Sequence, residues 1–595
     1  MEEQRLFAWS EASGLLNFDE DSARVLESNV FGLHRLTVLE LLVQVRVLFE
    51  DFEKQQRRYK GLDTHDYPSE KDEGLPSDPS SSLMPLTTKR KTFVDKVMNK
   101  LQATKQGIEE APKRLRWAAF DKKNFELLLQ RFSSLNDSIS GLLDSGLQRE
   151  IYNTTQDTHR SLLQFRHDIN DIAQLVKATL ALTMQRQSAF APANFRALDS
   201  NEKHIEGLHL LAQLAQFKAF NEAIGTTDPI DNATSELLAL GETKRDRLNI
   251  KMDKSRVQFL QTVSLQDTRC EASYTRDDGS QQSVWVEWKE YDWQPPGKPC
   301  PTPLITDRVQ KLTALLRHEP KPDYFRVPHC LGYFDNATHE IDESTGNYID
   351  DEADYRIGFV FQKPETSDPL CEPISLLELL RNGEKPSVTD RITLAQAVAN
   401  CILYLHAVDW LHKGLRSHNI VFFKPVGAAM GIDYSKPYLS GFDFARPARR
   451  EEQTEIPGDN AEYNMYRHPK AHSQASGPHE KFRKSFDIYS LGVILVELGH
   501  WMSIDQVLGL ELGKLKGKGR VAAIVKSSLL EEKRGDELRA NMGSVYQRAV
   551  KKCLAGGEQL GIDENENESE DSAVAAKLSM NFYNEVVRKL LDIRI

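Results

Sequence analysis

The stretch His412-Lys413-Gly414-Leu415-Arg416-Ser417-His418-Asn419, with Gly441-Phe442-Asp443 further on, decides how the second half of this chain is read. It follows a periodic apolar run over 390–407 that predicts a long helix. Toward the N-terminus, 270–274 and 283–289 read as strands about the turn Asp277-Asp278-Gly279. In the second strand Val284, Val286 and Trp288 share one face, and Trp285, Glu287 and Lys289 the other. Residues 306–317 read as a helix and 357–362 as a short apolar strand. Beyond residue 407 helices dominate, broken by an acidic tract, 563–571, that reads as a solvated loop. Strands first and helices later define an α+β domain over about 265–595.

Four segments, in the right order, resemble the protein-kinase family. Val286-Glu287-Trp288-Lys289 is similar to the V-A-I-K strand, whose lysine contacts ATP phosphates. His412 to Asn419 is similar to the catalytic loop H-R-D-L-x-x-x-N, and Gly441-Phe442-Asp443 stands where D-F-G binds metal. Ser485-Phe486-Asp487-Ile488-Tyr489-Ser490-Leu491-Gly492-Val493 resembles the helix that anchors the catalytic loop. Tyr466-Arg467-His468-Pro469 sits in the A-P-E region. The resemblance implies a bilobal kinase-like fold, with lobes over about 265–365 and 366–595.

The departures remove the chemistry. Phosphoryl transfer is mostly positioning and electrostatics around a polyanion. The aspartate that orients the substrate hydroxyl is replaced by Gly414, and the metal-binding aspartate by Gly441. Asp443 stands two residues later, at the motif's usual glycine. Asn419 reads either as the family's second metal ligand or as a loop-bracing amide, and one neutral amide is a poor magnesium site. Lys289 reads either as a solvated strand lysine or as a cleft lysine on an ATP phosphate. No G-x-G-x-x-G precedes it. Glu287 replaces a small residue beside the adenine, where a carboxylate would crowd the base and partly neutralise Lys289. The helix facing Lys289 offers Lys311 and Gln310 in place of a pairing glutamate. His412 and Asp487 carry over as structural groups, a buried scaffold histidine and an acceptor for backbone N–H groups of the catalytic loop. On this reading no catalytic constellation is intact, ATP stays open as a ligand, and magnesium is not expected.

Residues 1–225 read as an all-helical bundle. Leu36, Leu39, Val43, Val47 and Phe52 recur at helical spacing, as do Leu115, Ala118, Ala119, Phe125, Leu128, Leu129, Phe132 and Leu135. More helical pattern covers 162–182 and 208–220. A Pro- and Ser-bearing insertion at about 63–90 is expected to be disordered, and 226–264 to form a charged linker or brace helix. Arg5-Leu6-Phe7-Ala8-Trp9, the helix 36–59 ending Gln56-Arg57-Arg58-Tyr59, and Arg114-Leu115-Arg116-Trp117-Ala118-Ala119-Phe120-Asp121-Lys122-Lys123-Asn124-Phe125 resemble the fungal HeLo domain of prion inhibition and propagation, found in incompatibility and cell-death proteins. The chain starts at what resembles the second helix of that family, so either the apolar first helix is absent or the start codon is misplaced. A death-effector bundle followed by a G-F-D pseudokinase resembles the architecture of the mixed-lineage kinase domain-like family.

Composition narrows the partners. The 595 residues carry a net charge of -12 with pI near 5.8, against a general nucleic-acid binder. Six scattered cysteines form no C-x-x-C pair, which predicts reduced thiols in the cytoplasm. There is no signal-peptide pattern, no lipidation motif and no apolar run of about 18 residues. The expectation is a multidomain protein, an all-α bundle plus an α+β kinase-like bilobal domain, working as a non-catalytic signalling switch. The alternatives are an ATP-binding kinase with weak transfer to protein, and an interaction scaffold. Protein partners, self-association through the bundle and inducible membrane contact are expected, without nucleic acid.

Overall fold

The computed structural model describes residues 166–188, 195–224, 232–240, 250–292, 301–337, 354–369, 371–427, 431–442, 445–447, 460–471, 482–511, 521–563 and 566–594, with a few isolated residues beside them. The expected helices 36–59 and 114–125, the segment 5–9 and the insertion 63–90 lie outside the described residues. Asp443 does too. The chain divides into two compact units, Met1–Leu162 with Ala178–Leu211, and Leu163–Lys177 with Ala212–Ile595. Two helices of the expected bundle are described, α1 (Ile169–Ser188) and α2 (Phe195–Ala223).

The second unit begins with a piece of each, then α3 (Asn232–Leu237). A five-stranded antiparallel sheet follows: β1 (Val257–Phe259), β2 (Arg269–Thr275), β3 (Gln281–Glu290), β4 (Cys330–Asp335) and β5 (Arg356–Gln362), in the order β1-β2-β3-β5-β4. Between β3 and β4 runs α4 (Pro303–Arg317), opened by Thr302, whose hydroxyl accepts from the Ile305 N–H, and by Pro303, whose missing N–H costs nothing in the first turn. The alternation read in β3 gives its packing. Val284 and Val286 join Val257, Ala272, Phe334 and Val360 in one core, with Trp288 against it, while Trp285 and Glu287 fill the other face.

The rest is mostly helical. β6 (Ile374–Ser375) leads into α5 (Leu376–Asn382), started by a capping box between Ser375 and Glu378. The long helix α6 (Val388–Ala407) is capped by Ser387. Short strands β7 (Trp410–Leu411), β8 (Ile420–Phe422), β9 (Tyr438–Leu439) and β10 (Arg446–Pro447) flank the loop that holds the quoted motif. Next comes α7 (Lys484–His500), buried along nearly its whole length, and α8 (Glu532–Ala555) packs along it. No helix among the described residues is long and apolar enough to cross a membrane.

Three expectations change. The compact units do not divide near residue 225. Phe217 and Phe220 of α2 bury their rings against Trp410, Phe325 and His318, so the second unit takes Leu163–Lys177 and everything from Ala212. The stretch 226–264 is not a brace helix throughout. It contains α3, and then the sheet's edge strand β1, whose Val257 enters the sheet core. The acidic tract is not wholly solvated either. Glu568 is buried and accepts from the Ser485 N–H (3.2 Å) and hydroxyl (2.6 Å) in the first turn of α7, where a carboxylate satisfies an orphan donor.

Candidate functional site

The five-residue turn 276–280 sets the β2–β3 register and puts Arg269 opposite Glu287. From there the Arg269 guanidinium reaches out of the sheet. Its Nε donates to Glu287 Oε1 (3.0 Å), one Nη to the His418 carbonyl (2.7 Å), and the other to Asn419 Oδ1 (3.0 Å) and Ser440 Oγ (2.6 Å). Glu287 is 7 % exposed, and its second oxygen accepts the Gly441 N–H at 2.9 Å. The Trp285 indole also donates to Glu287, at 3.3 Å. Thr268 meets His418 Nε2 at 2.8 Å, so the start of β2 is tied to the loop 412–419 through two successive residues.

Glu287 therefore does not act on Lys289 as expected. Its oxygens are taken by Arg269, Trp285 and Gly441, because Arg269 is its direct cross-strand neighbour. Of the two readings of Lys289, the solvated one is excluded, since it is 5 % exposed. Lys311, expected to face it, forms an i,i+4 pair with Asp307 at 2.5 Å.

The glycine at 441 is enforced by space, and the one at 414 is tightly packed. Gly441 has φ +70, and a Cβ there would lie 2.1 Å from Asn419 Nδ2 and 2.3 Å from Asn419 Cγ. At Gly414 a Cβ would stand 3.1 Å from the Gly441 carbonyl oxygen. Asn419 itself is fully buried; its Nδ2 donates to the Gly414 carbonyl (2.8 Å) while its Oδ1 accepts from Arg269. The one atom it could offer a cation already faces a guanidinium, so the amide braces the loop. These residues do not fit a magnesium ion.

Below the loop, fully buried Asp487 accepts the His412 and Lys413 N–H groups, both at 2.9 Å, and lies 3.3 Å from His406 Nε2. His412 is buried; burial pushes its imidazole down to about 4, and its Nδ1 accepts from the Gly414 N–H. Its ring packs 4.5 Å from Phe442. Ser417 bonds Tyr466 (2.7 Å), whose hydroxyl donates to buried Glu497 (2.6 Å).

Sequence reasoning did not single out Arg269, Ser440 or Glu497. Arg269 could have been found by counting outward from the turn, which pairs it with Glu287. Ser440 carries no local signal, since its partners are 21 residues away or more, and the Tyr466 hydroxyl that reaches Glu497 is 31 residues away.

Residues 1–175 match a family described as HeLo, prion-inhibition and propagation. That match points to an incompatibility or cell-death effector role for the N-terminal part. Residues 348–593 match a domain of unknown function, DUF7580. No curated protein matches the chain.

Proposed function

We propose that this chain is a non-catalytic signalling switch in which a pseudokinase-like C-terminal half controls a HeLo effector domain. The observation that carries it is the Arg269–Glu287 pair locked onto Asn419, Ser440 and Gly441, where a kinase-like cleft would take nucleotide and metal. The kinase-like reading is supported by the arrangement: an antiparallel sheet bearing Lys289, one helix between β3 and β4, and a mainly helical part whose Asp487 grips the 412–419 loop. The effector output is self-association of the HeLo part or its contact with a membrane, triggered by a protein partner or a modification that shifts the equilibrium.

The test is thermal unfolding of the full chain with ATP, with and without magnesium. A ligand at about 100 times its Kd adds roughly 2.7 kcal/mol, which moves a domain of this size by several degrees. No shift is expected. A magnesium-dependent rise that Lys289→Ala abolishes overturns the reading in favour of a weak protein kinase.

A further inference from the structure

The inner end of α2 is held against the turn that feeds the 412–419 loop. Phe217 stacks on Trp410 at 5.3 Å and meets Phe325 edge-on at 4.9 Å, while Phe220 stacks on His318 at 3.9 Å. Between them Lys218 is fully buried, with its ammonium 2.8 Å from Asp409 and bonded to the Leu163 carbonyl. The Asn221 amide donates to the Val408 carbonyl at 3.1 Å. Asp409 has a second cation, Lys484 at 2.6 Å, supplied by the first residue of α7. Burial works against both charged partners, yet the two ammoniums hold the Asp409 carboxyl well below its usual range. Asp409 also sits in the left-handed region, φ +57, a strained place for a non-glycine that the surroundings must over-determine.

His167 and Glu222 complete a ligand-like trio with Asp409, but Asp409 is already spoken for by two ammoniums, which argues against a metal there. The arrangement has another property. If Lys218 leaves, Asp409 keeps Lys484, and Lys218 regains water. The body of the unit is left with a paired charge either way, so undocking strands no buried ion. What opposes it is the exposure of Phe217 and Phe220 together with Leu214, Ala212, Ala215, Ala219 and Ala223, all of them buried.

The same stack leads to the cleft. Trp410 lies between Phe217 on one side and Phe442 on the other, at 5.3 and 5.1 Å, and Phe442 packs on His412. Resting on the switch reading above, we propose that residues 212–223 form a releasable strap, latched by Lys218 on the Asp409–Lys484 pair, and that the strap senses the cleft through the Phe217–Trp410–Phe442 stack. Its occupant is this chain's own helix. Residues 163–175, which include the Leu163 carbonyl that Lys218 bonds, belong both to the HeLo match and to the strapped unit, so release of the strap frees the end of the effector domain.

The test is hydrogen exchange of the 212–223 amides in the full chain, with a melting curve for each variant. Asp409→Asn leaves two buried ammoniums without a carboxylate, and exchange is expected to rise about tenfold or more. Lys484→Met makes Lys218 the sole ammonium on Asp409, and exchange is expected to fall. Opposite signs are the signature of a latch; a rise in both overturns it, because an ordinary core contact is weakened by either loss. Phe442→Leu is expected to raise exchange at 212–223 from the cleft side, and unchanged protection there overturns the sensing. Cell toxicity of Asp409→Asn separates the two proposals. If the strap is freed and toxicity stays at the parent level, the latch stands and the switch reading falls.

Discussion

The cleft and the strap are both held by buried charge, yet they respond oppositely when one partner leaves. Arg269 satisfies Glu287, Asn419, Ser440 and the His418 carbonyl at once, so its departure would strand a buried carboxylate and several acceptors. Lys218 shares Asp409 with Lys484, so its departure strands no buried charge. The first arrangement is a plug and the second a latch. What separates them is the count of partners around the buried carboxylate, not the strength of any one pair.

Removing the plug should have the largest effect. Arg269→Ala is expected to destabilise the chain by about 3–5 kcal/mol, read from the urea midpoint, because it leaves Glu287 buried without its cation. A loss under about 1 kcal/mol would mean that water fills the cleft and that the plug is an exposed pair in all but name.

A smaller effect concerns Glu497, which has hydroxyl and amide donors but no cation. Burial raises its carboxyl to about 8, while the Tyr466 hydroxyl and the Ile504 N–H pull the other way. A raised carboxyl stabilises the fold fully below the unfolded value near 4.5, and this is lost as pH rises through about 8. Glu497→Gln should therefore flatten the stability profile between those limits. An unchanged slope would show that the carboxylate is already ionised and compensated.

The smallest of the three tests the space in the plug. Gly441→Ala should cost about 2 kcal/mol, from the left-handed backbone and from displacement of Asn419. The penalty should shrink in an Asn419→Ala background, since the side chain it strikes is gone. Additive losses in that cycle would place the strain in the backbone alone.

The sequence-based reading of the strands and of the long helices around the motif holds within a few residues, because strand alternation and helical periodicity are local signals. Gly414 and Gly441 were legible as glycines at places where the resembled motifs carry carboxylates. Their enforcement was not: the clash at Gly441 comes from Asn419, which the fold brings beside it. The linker expectation failed for a related reason. Charge and helical tendency in 226–264 said nothing of β1, which is a strand because it pairs with β2, its Val257 opposite Tyr274.

The sequence by itself determined the element types of the second half and the glycines, Gly414 and Gly441, at positions where the resembled kinase motifs carry aspartates. Only the tertiary structure decided that Arg269 turns on the loop rather than into solvent, and that the end of α2 from Ala212 onward belongs to the C-terminal unit. It also decided that Asp409 is shared between two lysines 266 positions apart. The reason is physical. Periodicity and turn chemistry act within a few residues, whereas the cost of burying a charge is met by whichever partners the folded chain happens to bring within about 3 Å.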